Sequence, residues 1–158
     1  METRYYVLQD ERGLVSVFAN YTQLRARLLG RGESLFVPNV PQSIFNVGTD
    51  FDAPLWGPNS PHRLSGMLYL QLIGQKHLSK DSSLTTNPYE RLAGRLAYSH
   101  NSGWTTFLDV IWYPGDRNSE TAFNFGPPTN ANFSDIVVNP QAPVTVLGGV
   151  SYRFRTGS

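Results

Sequence analysis

Apolar and polar residues alternate with a period of two along much of this chain. The clearest instance is residues 90–100, where Leu92, Leu96 and Tyr98 share one side with Gly94. Arg91, Ala93, Arg95, Ala97 and Ser99 share the other. Successive side chains of a strand point to opposite faces, so this run predicts a strand with one face in a core and the other in water or against a partner. In 104–113, Leu108, Val110 and Trp112 repeat the pattern, and in 143–155 Val146, Val150, Tyr152 and Phe154 stand against Thr145, Ser151 and Arg153. Shorter runs follow the same logic at 3–9, 13–19, 34–37, 43–48, 66–73, 121–125 and 134–138. Residues 90–100 and 104–113 are expected to pair antiparallel across Asn101, Ser102 and Gly103, which tolerate the backbone of a tight turn. Leu96, Leu108 and Val110 are expected to be buried, so that a charge at Leu96 would cost several kcal/mol.

One segment departs from the period. Asn20 stands at a capping position, Gln23 follows three residues later, Leu24 and Leu28 are spaced i, i+4, and Gly30 closes the run. That combination predicts one short helix over residues 21–29. Segments 38–65 and 114–132 are rich in Pro, Asn and Gly and read as long surface loops. Many short strands between turn clusters predict an all-β, antiparallel β-sandwich in a single domain over 1–158.

Composition narrows the function. Charged residues make up 16% of the chain, against roughly 25% in soluble proteins generally. A net charge of +1 gives no broad field for specific nucleic-acid binding or an anionic membrane surface. The absence of cysteine excludes disulfides, thiol catalysis and cysteine-ligated zinc. The N-terminal residues have no apolar signal-peptide core. No apolar run approaches the roughly 18 residues of a membrane-spanning helix, so no membrane span is expected. Arginines outnumber lysines eleven to two, a bias that suits interfaces.

Candidate chemistry is sparse. His62, His77 and His100 stand in turn-like contexts without the converging ligands of a metal site. Ser99, His100 and Asp109 can be written as a triad, but adjacent strand residues face opposite ways and no nucleophile elbow is present. No catalytic residue and no cofactor are therefore expected. Asp50 and Asp52 share one side of an extended segment and are weak calcium candidates, with solvated turn carboxylates the simpler reading. Arg25, Arg27 and Arg31 form a basic cluster that suits phosphates, an acidic neighbour or plain solvent. Trp56, a loop aromatic among prolines, is a candidate interface anchor or sugar platform, or a plug at the end of the fold. Tyr113 and Arg117 border or occupy the second long loop, and loops 49–65 and 114–132 are expected to carry partner contacts.

The stretch "NPYERLAGRLAYSHNSGWTTFLDVIWYPGD" resembles the C and D strands of jelly-roll coat proteins from picorna-like positive-strand RNA viruses. "YTQLRARLLGRG" is similar to the short helix that precedes those strands, and "VTVLGGVSYRFR" to a later strand. The resemblance implies a jelly-roll-like capsid subunit, or a capsid surface domain, located in the virion. It implies a role in assembly with copies of itself or sibling coat proteins, without enzymatic activity. A carbohydrate- or receptor-binding module, stacking a host glycan on Trp56 and Tyr113, is the second expectation. A small outer-membrane β-barrel, prompted by "GVSYRF", is the third. It ranks there because membrane strands need about 9–11 alternating residues, while the early runs are shorter and Pro38 and Pro41 interrupt them.

Overall fold

Every strand pairing in the computed structural model is antiparallel. The structure describes residues 1–29, 34–78, 85–114, 119–124, 136–140 and 142–154. Its strands are β1 (Glu2–Asp10), β2 (Gly13–Gln23), β3 (Arg27–Leu29), β4 (Ser34–Phe36), β5 (Ser43–Pro54) and β6 (His62–Ile73). They continue with β7 (Tyr89–His100), β8 (Trp104–Trp112), β9 (Ser119–Asn124), β10 (Ile136–Pro140) and β11 (Val144–Tyr152). Seven of them form one sheet in the order β1-β2-β5-β6-β7-β8-β11. The ribbons β3–β4 and β9–β10 are inserted in its connections. The fold is all-β and antiparallel, as the alternation predicts.

The β7–β8 hairpin matches its expected ends. His100 C=O accepts from the Gly103 N–H at 2.9 Å, and Gly103 has the positive φ (103°) that only glycine adopts without strain.

The expected helix over 21–29 is absent. Tyr21, Thr22 and Gln23 continue β2, paired with Phe45, Ile44 and Ser43, and β3 begins at Arg27. Asn20 does not cap; its Oδ1 accepts from Asn46 Nδ2 at 2.6 Å. An isolated helix of two turns is marginal, whereas Tyr21 and Thr22 favour strand and gain a full ladder against β5. The long-loop reading of 38–65 also gives way, because β5 and β6 occupy much of it. Asn46, Gly48, Asp50 and Asp52 look like turn residues in one dimension, yet all lie on one side of β5. In 114–132, β9 takes residues 119–124.

A second sheet of comparable size, which a sandwich requires, is not found among the described residues. Leu96, Leu108 and Val110 accordingly are not buried: they are 47%, 46% and 36% exposed. No described element covers their side of the sheet. The buried apolar residues, Ile73 and Ala93, lie on the opposite face.

Three glycines sit directly across a strand pair from a phenylalanine: Gly48 from Phe18, Gly66 from Phe51 and Gly149 from Phe107. A Cβ built on Gly66 or Gly149 falls within 2.6 Å of the opposing ring. The rings lie over the bare backbone and fix the register.

The sheet has two unlike ends. The connections that follow Asp10, Pro54 and His100 are short and leave from one end, whereas those that follow Gln23, Ile73 and Trp112 are long and leave from the other.

Candidate functional site

Strand register sorts the side chains into two faces. On the first, one cross-strand row runs Ala19, Val47, Leu70, Leu92, Trp112, Val144. The next runs Val17, Thr49, Leu68, Gly94, Val110, Val146, and a third Val15, Phe51, Gly66, Leu96, Leu108, Gly148. A fourth holds Ala53, Leu64, Tyr98, Thr106 and Val150. None of these residues is charged. Many are open: Leu68 is 52% and Val146 61% exposed.

Aromatic side chains border this face at both ends. Trp104 lies 4.7 Å from Tyr152 at the short-turn end, and Tyr152 meets Phe154 edge-on. Trp112 and Tyr21 stand near the long-connection end, both nearly half exposed.

The second face carries the charges. Its central row is Tyr6, Ser16, Asp50, Met67, Arg95, Asp109. Arg95 holds Asp109 through two bonds of 2.6 Å and lies over the Phe107 ring at 5.0 Å. Arg4 Nη1 donates to Asp50 Oδ1 at 2.7 Å, while Ser16 Oγ donates to Asp50 Oδ2 at 3.0 Å. Arg63 pairs with Asp52. Gln71 Nε2 donates to Asn46 Oδ1, whose Nδ2 donates to Asn20, making an amide ladder over three strands. Asp50, Asp52 and Asp109 thus each have their own guanidinium, and the amides satisfy one another.

Ser16 is fully buried. Asp50→Ala is expected to cost about 1–2 kcal/mol, because the buried Ser16 hydroxyl loses its acceptor and Arg4 its partner. Chemical denaturation against wild type measures this, and an unchanged midpoint would contradict the network.

Asp50 and Asp52 share one side of β5 as expected, but separate arginines occupy them. No group of three or more His, Asp or Glu side chains could hold a metal among the described residues. The Ser99, His100, Asp109 set is not brought together. Ser99 and His100 face opposite sides of β7, Asp109 is held by Arg95, and His100 Nδ1 lies 2.6 Å from Ser102 Oγ.

Trp56 sits in a left-handed turn (φ 63°), 82% exposed, edge-on to His62 at 4.9 Å. His62 Nδ1 lies 2.5 Å from the Tyr98 hydroxyl. Trp56 therefore belongs to the aromatic border at the short-turn end. Tyr113 is at the opposite end, 6.4 Å from Tyr89 between ring centres, its N–H donating to Pro143 C=O. Arg25 and Arg27 are exposed beside a cavity at that end, with Arg27 5.4 Å from the Phe36 ring centre. Arg31 and Arg117 lie outside the described residues.

Sequence reasoning missed the cross-strand ion pairs. Their signal was present: Asp50, Asp52, Arg63, Arg95 and Asp109 hold the parity opposite to the Leu and Val residues of their strands. It also missed His77, which is buried rather than in an open turn.

No family model, curated protein or solved structure matches the chain. Among the described residues no helix is long and apolar enough to cross a membrane, which leaves strands untested as a means of crossing.

Proposed function

We propose that this chain forms part of the wall of a transmembrane β-barrel, with lipid against its first face and a polar interior against its second. The observation that carries the reading is the uncovered apolar face backed by a face of paired charges. In water such a sheet exposes what it should bury. In a bilayer the same arrangement buries its apolar surface, and the antiparallel ladder satisfies the backbone.

Dimensions agree. The sheet strands have 9–12 residues, near the 9–11 or so that a tilted membrane strand needs. This removes the length objection raised by the early runs, and Pro38 and Pro41 fall between β4 and β5 rather than inside a membrane strand. Trp104 and Trp112 bracket β8 at a separation of about 27 Å along the strand. At a tilt of about 40° this projects to roughly 20 Å, close to the apolar band between aromatic girdles. Short turns at one end and long connections at the other complete the pattern.

The chemistry suits a channel or barrel scaffold lined by arginines, aspartates and amides. Strands β1 and β11 are the sheet edges and run in the same direction. Closure with antiparallel pairing throughout therefore takes an odd number of further strands.

Purification with and without micelles tests the proposal. Folded protein is expected only with detergent or lipid, with tryptophan emission quenched by brominated phospholipids. Monodisperse protein in plain buffer with unquenched tryptophans would sink it. The uncovered face also supports a second reading, the coat subunit, in which a sibling or second copy covers the same residues. That reading expects detergent-free oligomers or particles.

A further inference from the structure

We infer that a cavity at the long-connection end of the sheet binds a small organic carboxylate with an apolar body. The cavity has a volume of about 370 Å³ and lies among the end of β2, the segment before β3, β4 and His77. That is within the size range of small-molecule sites, roughly 300–1,000 Å³. It is separate from the charged face and does not depend on what covers the apolar face.

Its walls divide by chemistry. Leu24, Phe36, Val37 and Val40 supply an apolar surface. Among the described residues of the lining, the charged ones are Arg25 and Arg27. Arg25 is exposed at the rim and has no carboxylate partner among the described residues. A guanidinium takes a carboxylate through two parallel bonds, and a compact anion beside an apolar wall is the ligand such a fork fits.

His77 completes the wall behind Phe36. It is buried, its ring centre 4.0 Å from that of Phe36. Gln42 Nε2 lies 2.9 Å from its Nε2. An amide nitrogen can only donate, so Nε2 accepts and the proton sits on Nδ1. Nδ1 is buried without a hydrogen-bond partner among the described residues. That atom is closed to a water-sized molecule, so His77 contributes bulk beside Phe36 and no bond to a ligand. The group that meets the anion is Arg25 at the rim, with the apolar wall beside it.

Calorimetric titration with benzoate, benzyl alcohol and benzylamine separates the contributions of shape and charge. It is run in whichever buffer, with or without neutral micelles, keeps the protein monodisperse, so its outcome is independent of the barrel reading. Benzoate is expected to bind at least about tenfold more tightly than the isosteric alcohol, with benzylamine weakest. Arg25→Gln, a change at the exposed rim, is expected to weaken benzoate about tenfold and leave benzyl alcohol unchanged. Equal affinity for benzoate and the alcohol, no benzoate binding, or wild-type affinity in the Arg25→Gln, Arg27→Gln double variant would each overturn the inference. With the site in hand, displacement of benzoate by oleate in the micelles would assign the natural carboxylate to a membrane fatty acid. Failure to displace would assign it to a free solute.

Discussion

Leu96→Arg is expected to destabilise the protein in a phosphatidylcholine bilayer by about 2–4 kcal/mol, the cost of a cation on a lipid-facing barrel position at the midplane. Leu96 lies in the row between Gly66 and Leu108, and Leu108 is midway between Trp104 and Trp112. In the proposed barrel its depth is therefore that of the bilayer centre, where an arginine side chain has farthest to reach for water. Ala97, one residue on, lies between Ser65 and Phe107 on the charged face. Ala97→Arg places the same charge toward the interior beside polar neighbours, and little change is expected. Urea titration of both variants in vesicles measures the contrast. Equal losses at the two positions would mean that the faces are not distinguished by lipid. If Leu96→Arg instead leaves vesicle insertion untouched and abolishes oligomers in plain buffer, the coat-subunit reading takes precedence.

The alternation that predicts strands is a local property, and it located nearly every strand because strand parity needs no partner to be visible. Residues 90–100 and 104–113 correspond to β7 and β8 almost to the residue. The same alternation could not say what the apolar side faces. Leu92, Leu96 and Tyr98 read identically whether protein, a second copy or lipid covers them, so burial in a sandwich core was an assumption about solvent. The helix over 21–29 failed for a different reason. Its cap and i, i+4 pair are short-range preferences worth little beside the pairing of Tyr21 to Gln23 with β5, a contact over some twenty residues that sequence spacing does not display. Likewise Asp50 and Asp52 were legible as a same-side pair. Their partners Arg4 and Arg63 come from other strands, and only the register reveals that the charges are matched. The cavity beside Arg25 and Arg27 was half visible: the arginines stand out, whereas His77 reaches it from a different connection, the one after β6.

Gly48→Ala tests that register directly, and it is expected to cost about 3 kcal/mol, the upper end of what overpacking usually does. Gly48 lies in β5 between Phe18 on β2 and Tyr69 on β6. A Cβ at this position falls 2.5 Å from the Leu68 carbonyl oxygen, 2.5 Å from Tyr69 Cβ and 2.8 Å from Phe18 Cζ. The first two atoms are fixed by the backbone of β6 and cannot rotate away. The third could move only by lifting Phe18 off the strand, and Arg4, which holds Asp50, lies 5.4 Å from that ring. An added methyl group must therefore separate β5 from β6 or disturb the ion pair above it. Gly148→Ala is the matched control. Its Cβ meets the Phe107 carbonyl oxygen at 3.7 Å and Leu108 Cδ1 at 4.0 Å, ordinary contact distances. That change is expected to be neutral or to stabilise by up to about 1 kcal/mol through the unfolded chain. Urea midpoints for the two variants should differ widely. If Gly48→Ala is as mild as Gly148→Ala, Phe18 does not lie over Gly48, and the pairing of β2 with β5 that aligns Ser16 with Asp50 is not the one described.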